Sequence, residues 1–155
     1  MNRNSIASLT LSALALVGLA SFEGYTDKAI IPIPGDVPTI GFGTTEGVKL
    51  GDKTDPIKAL RRVYIDIQNK ENAIKKCVKV PLYQYEYDAY VSLAYNIGTG
   101  NFCGSTLVKK LNQLDYTGAC KEILRWNRAQ GKVVRGLTIR RAAEYEKCTG
   151  MSPSV

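Results

Sequence analysis

Histidine is absent from this 155-residue chain, so no Ser-His-Asp or Cys-His nucleophile and no imidazole metal ligand can be built from it. Acid–base chemistry near neutral pH must come from carboxyl, Lys, Tyr or Cys groups, and the carboxylates come first. The most unusual stretch carrying one is Phe22-Glu23-Gly24-Tyr25, followed by Thr39-Ile40-Gly41-Phe42-Gly43. A carboxyl at the end of an apolar run, with Phe22 and Tyr25 beside it, is open to desolvation, which raises its pKa and suits a general acid. A helix-terminal Glu marking where membrane meets water would use the same residues. Gly41 and Gly43 within a strand signal the close approach of a ligand or a sharp bend in a small sheet.

Four cysteines, Cys77, Cys103, Cys120 and Cys148, form no C-x-x-C pair, which argues against a zinc ribbon or a thioredoxin-like motif. Their even count and wide spacing suit two disulfides in an oxidising compartment, against the alternative of four buried thiols. Of three connectivities, Cys77–Cys103 and Cys120–Cys148 are favoured, the second pair lying on the last two long helices. No metal or cofactor is expected. Lys and Arg number 21 against 14 Asp and Glu, a net charge of +7. Arg125, Arg128, Lys132, Arg135, Arg140 and Arg141 form a basic cluster, read as a solvated face or a surface drawn to an anionic polymer. The tyrosines Tyr83, Tyr85, Tyr87, Tyr90 and Tyr95, at helical spacing, read mainly as core.

These groups must be positioned by a single domain or by two small lobes sharing a core, for the length allows no more. From Glu23 to about Asp52 the chain is β-rich and punctuated by Gly and Pro. Ala29–Ile33 and Val37–Gly43 flank Pro34-Gly35-Asp36, a type II turn signal, and so predict a hairpin. Thr54-Asp55-Pro56 caps a helix running to about Val78, with Ile57, Leu60, Val63, Tyr64, Ile67 and Ile74 on its apolar stripe. Further helices are expected over Tyr83–Ile97, Ser105–Asn112, Tyr116–Ala129 and Leu137–Cys148. The fold class is α+β, with a small β lobe (about 23–52) and a larger helical lobe (about 53–150).

No charge interrupts the chain between Arg3 and Glu23. Asn4–Phe22 just reaches the roughly 20 residues of a membrane span, but Ser, Thr, Gly and Ala dilute it, and it reads as a marginal membrane helix. Three readings compete for residues 1–22: a retained weak anchor able to leave the bilayer, a signal peptide cleaved near Ala20, and a permanent anchor. Cleavage after Ala20 would leave Glu23 third in the mature chain, where termini fray.

The runs Phe22-Glu23-Gly24 and Pro38-Thr39-Ile40-Gly41-Phe42-Gly43-Thr44-Thr45 resemble the phage endolysins of glycoside hydrolase family 24, the T-even-phage lysozyme type. So do Val80-Pro81-Leu82, Ala94–Phe102, Ser105–Asn112, Gly118-Ala119-Cys120 and Gly136–Glu144. The resemblance spans about residues 22–148 in consistent order, and the uncharged N-terminus is similar to the signal-anchor-release subgroup. It implies a lysozyme-like fold over 23–155 and cleavage of the β-1,4 bond between N-acetylmuramic acid and N-acetylglucosamine. It implies Glu23 as general acid, Thr39 as the residue positioning water, and Gly41, Phe42, Asn96 and Arg141 as contacts to the glycan. The partners it implies are peptidoglycan strands and, before release, the inner membrane through residues 4–22. It gives no role to nucleic acid and is consistent with a periplasmic monomer.

The second carboxylate departs from the family pattern. That pattern places it at Pro32 counting from Glu23, or at Ile33 counting back from Thr39. Asp36 is the nearest substitute and Asp27 the next; otherwise Thr39 and water act alone. An odd separation would turn Asp36 and Thr39 to opposite faces of an ideal strand. Two rivals remain: a membrane-anchored peptidoglycan-binding protein without catalysis, and a cationic protein that disrupts membranes through its apolar segment. Neither needs Glu23.

Overall fold

Capping sets several helix ends in the computed structural model, which describes residues 2–151. Asp55 Oδ1 accepts the backbone N–H of Lys58 at 2.9 Å, and Pro56 enters at the first helical position, where no hydrogen bond is lost. Helix α2 therefore starts at Pro56 and runs to Cys77. Ala59, Val63, Ile67 and Ile74 form its buried stripe, while Ile57, Leu60 and Tyr64 are exposed, so the core-facing side is narrower than the sequence pattern suggested. Helix α3, Gln84–Ile97, opens with Glu86 accepting the backbone N–H of Tyr83 at 2.8 Å and stops at Gly98, whose φ is +89°. Ser105 caps α5, Thr106–Asn112, through its hydroxyl.

The order before α2 is α1 (Ala13–Glu23), β1 (Thr26–Ile30) and β2 (Thr39–Gly41). The strands pair antiparallel, Thr26 opposite Gly41 and Ile30 opposite Thr39, with an irregularity between. The hairpin thus pairs Thr26–Ile30 rather than Ala29–Ile33, because Pro32 has no ladder donor. Its turn is type II as the sequence indicates: Asp36 N–H donates to Ile33 O at 3.0 Å, and Gly35 takes φ +88°.

After α3 come α4 (Thr99–Cys103), α5, α6 (Tyr116–Glu122), β3 (Arg128–Ala129), β4 (Lys132–Val133) and α7 (Arg135–Cys148). The helix expected over Tyr116–Ala129 ends at Glu122, passes through a 3₁₀ turn at Ile123–Arg125 and gives way to the β3–β4 hairpin. Gln130 (φ +50°) and Gly131 (φ +76°) make its two-residue loop.

The chain divides into two compact units, residues 2–15 with 70–151, and residues 16–69. In the first, α3 is buried from Glu86 to Tyr95 and packs chiefly against α7, with Tyr87, Tyr90, Leu93, Phe102 and Leu111 fully buried. Disulfides join Cys77 to Cys103 and Cys120 to Cys148.

The apolar N-terminus is not one helix over Asn4–Phe22. Residues 2–12 form an extended strap with a short 3₁₀ turn at Ile6–Ser8, and only α1 is α-helical. The cause is a set of carboxylates that claim the strap's polar groups. Arg3 makes a two-pronged ion pair with buried Glu86, 2.7 Å at its closest, and lies over the rings of Tyr116 and Tyr83. Leu11 N–H donates to Glu71 at 2.6 Å, and Ser12 donates from its amide and its hydroxyl to Asp88. Ser12 Oγ in turn accepts Ala15 N–H at 3.1 Å, which starts α1 one residue later. Among the described residues no helix is long and apolar enough to cross a membrane.

Candidate active site

Glu23 is the last residue of α1 because Gly24, at φ +69°, turns left-handed and returns its N–H to Ala20 O at 3.0 Å. The side chain is half-buried. Beyond the cap, the ring of Tyr25 meets that of Phe42 with centroids 5.3 Å apart. Partial burial, with the Asp27 and Asp55 carboxylates, pushes the Tyr25 phenol up, so it stays a neutral hydroxyl. Phe42 lies in a tight turn closed by Ile40 and Thr44, whose backbones exchange two hydrogen bonds of 3.0 Å.

Both glycines of that turn have positive φ, Gly41 +63° and Gly43 +81°, and each has a distinct reason for lacking a side chain. A Cβ on Gly41 would lie 2.9 Å from Ala59 Cβ, against α2. A Cβ on Gly43 would lie 2.7 Å from Glu23 Oε2 and 3.2 Å from Cδ. The carboxyl is therefore seated on bare backbone. Of the two meanings that the sequence allowed these glycines, approach of a ligand and a sharp bend, the structure has the bend, and the group lying against Gly43 is the protein's own Glu23.

Thr39 opens β2, half-buried, and its hydroxyl donates to Val37 O at 3.3 Å. Asp36 is exposed in the hairpin turn and accepts Val37 N–H at 2.9 Å. Both side chains are thus tied to the same residue, and strand alternation does not govern them because Asp36–Pro38 precede the strand. Asp27 is exposed on β1, and its carbonyl accepts Thr54 N–H at 2.8 Å.

Glu23, Asp36, Thr39, Gly41 and Phe42 all belong to the 16–69 unit, whereas Asn96 and Arg141 belong to the other. Asn96 is exposed near the end of α3. Arg141 is fully buried, 2.7 Å from Glu144, and donates to Trp126 O at 3.4 Å. Arg140 is buried beside it, on Glu144 and Ser92 O. These two leave the basic cluster: only Arg125, Arg128, Lys132 and Arg135 are at the surface, because one buried carboxylate holds both guanidiniums. Sequence reasoning gave no role to Thr44, although it lies in the run Pro38–Thr45, and none to Asp66; the two share a 3.0 Å hydrogen bond. Among the described residues no group of Cys, Asp and Glu is arranged to hold a metal.

A sequence model described as phage lysozyme matches residues 20–144. The chain belongs to the phage lysozyme family. Members similar to it include the SAR-endolysin of Pseudomonas phage phiKMV, 39% identical over 141 residues that cover 88% of this chain and 86% of the relative. Among solved structures, the endolysin of Escherichia coli O157:H7 phage FAHEc1 has a TM-score of 0.82 at 31% identity, covering 96% of this chain and 98% of its own. The muramidase domain of SpmX from Asticaccaulis excentricus has a TM-score of 0.83 at 27% identity, covering 94% and 99%. As a phage lysozyme, the chain is a glycosidase that hydrolyses peptidoglycan in host lysis, and its α+β architecture is the lysozyme-like fold.

Proposed function

We propose that this phage lysozyme is a muramidase that cleaves the β-1,4 bond between N-acetylmuramic acid and N-acetylglucosamine, with Glu23 as general acid. The observation that carries the reading is the Glu23 carboxyl at the capped end of α1, seated on the backbone of Gly43. A carboxyl placed there, close against the turn, is positioned to deliver a proton to a leaving oxygen. The similarity to a muramidase domain supports the choice of bond.

In this mechanism Glu23 protonates the glycosidic oxygen as the bond to the anomeric carbon breaks, leaving an oxocarbenium-like centre. The Thr39 hydroxyl, leaning on Val37 O, orients the attacking water, and Asp36 takes up the water's proton. Gly41 and Phe42 border the bound glycan, which Arg141, fully buried on Glu144, does not touch. Inversion calls for carboxyls about 6.5–9.5 Å apart, and retention for about 5 Å. Digestion of purified peptidoglycan, followed by reducing-end labelling and mass spectrometry, tests the bond. New N-acetylmuramic acid ends are expected; N-acetylglucosamine ends would refute it, and no cleavage would favour the binding-protein alternative.

The same reading extends to export. Residues 4–22 first lie in the inner membrane as a weak anchor and then leave it, and the enzyme acts in the periplasm as a monomer. Relatives named as SAR-endolysins support this. So do the polar sites on Glu71, Glu86 and Asp88 that receive the strap, since in the bilayer those carboxylates would lack these partners.

A further inference from the structure

The turn that seats Glu23 is itself held from behind. Gly41 closes on Ala59 of α2. Two helical turns further along the same face, Asp66 Oδ2 accepts the hydroxyl of Thr44 at 3.0 Å, and Thr44 is only 3% exposed. Arg62, one turn before Asp66, places Nε 3.6 Å from Asp66 Oδ1 and donates from Nη2 to Glu46 O at 2.5 Å. A cavity of about 270 Å³, lined by Gly41, Thr44, Lys53, Ala59 and Arg62 among others, interrupts the packing between turn and helix. The turn is therefore pinned at two points, Gly41 on Ala59 and Thr44 on Asp66. Because Ile40 and Thr44 are hydrogen-bonded to each other in both directions, a shift of Thr44 carries Gly43 with it.

We propose that Asp66 is a positioning residue for the general acid, acting through Thr44 to fix the Gly43 backbone on which the Glu23 carboxyl rests. The inference rests on Glu23 being that acid. Neither Asp66 nor Thr44 need touch substrate, so the consequence of losing the contact is specific. The acid is misplaced in the bound complex, lowering kcat, while KM for the glycan stays near its original value. A merely structural anchor would lower stability and leave the kcat of the folded molecules unchanged.

The experiment compares Thr44→Val, Thr44→Ser, Asp66→Ala and the Thr44→Val/Asp66→Ala double variant with wild type and Glu23→Gln. Steady-state kinetics on solubilised peptidoglycan are run well below each melting temperature, on full-length oxidised protein. We expect Thr44→Val to lose roughly tenfold in kcat, a misplacement of less than an ångström, with KM within about twofold. Thr44→Ser should recover most of that loss, because it restores the hydroxyl. The double variant should be no slower than the slower single one, as groups acting through one contact are not additive. An inactive Glu23→Gln together with wild-type kcat in Thr44→Val would leave the general acid standing and overturn the positioning role. Equal losses in Thr44→Val and Thr44→Ser would also overturn it. An active Glu23→Gln would instead remove the reading on which the inference rests. If Asp66→Ala does not fold, the Thr44 pair decides alone.

Discussion

Replacing Gly43 by Ala separates two costs that fall on different observables. At φ +81° an L-residue sits in the left-handed region, which costs about 1–3 kcal/mol of stability. For a chain of this size that lowers Tm by roughly 2–4 °C per kcal/mol. The new Cβ would also stand 2.7 Å from Glu23 Oε2, where ordinary contact begins at 3.4 Å, so the carboxyl must retreat by about 0.7 Å. That retreat adds little to the stability cost, because Oε2 is the far end of a flexible side chain. It is serious for catalysis, since misplacing a reacting group by about 1 Å can cost on the order of 100-fold. We expect kcat to fall about 10- to 100-fold, with KM little changed and Tm lower by roughly 2–12 °C. Initial rates on dye-labelled peptidoglycan, corrected for the folded fraction by circular dichroism, measure it. A lowered Tm with wild-type kcat would show that the Gly43 backbone does not set the acid's position.

Arg3→Gln strips buried Glu86 of its cation; breaking a fully buried pair costs about 3–5 kcal/mol, and the partial exposure of Arg3 reduces this to about 2–3. Urea unfolding should show that loss, and a wild-type midpoint would mean that the strap contributes nothing. Gly18→Leu has room at its Cβ, with nothing within 4 Å, and makes the anchor more apolar. It should hold more protein in the membrane fraction and delay lysis, and unchanged timing would argue against release. Ser12→Leu is a poorer test, because it also removes a partner of Asp88. The Lys58 backbone N–H holds Asp55 below the usual carboxylate range, and the Lys110 ammonium does the same for Glu122. Depressed folded values mean that the unfolded chain takes up protons first, so this stability is present above the unfolded pKa values and lost as pH falls through the folded ones. Stability should decline below about pH 4, less steeply in Asp55→Ala/Glu122→Ala; an unchanged slope would contradict the assignment.

What the sequence made legible was local. Asp55, Ser105 and Gly98 mark helix ends through short-range hydrogen bonds and a positive φ, and Pro34-Gly35 names its own turn type. The 116–133 region was illegible because a Gln-Gly loop with two-residue strands is too short to leave a periodic pattern. The N-terminal strap was illegible for another reason. Its apolar composition reads as one helix, while the groups that unwind it, Glu71, Glu86 and Asp88, lie 60 to 83 residues away in the chain. At the site, Glu23 and the glycines stood out by type and spacing. The turn's attachment to Asp66 depends on the third dimension alone. Arg140 and Arg141 show the converse error, since basic residues clustered in sequence can be buried by a single carboxylate.

The most direct test is the activity of Glu23→Gln, measured on purified peptidoglycan beside wild type, with matched Tm and circular dichroism spectra. The account predicts a folded protein that releases no new N-acetylmuramic acid reducing ends. A folded Glu23→Gln that keeps more than a few per cent of wild-type cleavage would contradict the assignment of the general acid, and with it the role of the Gly43 backbone as its seat.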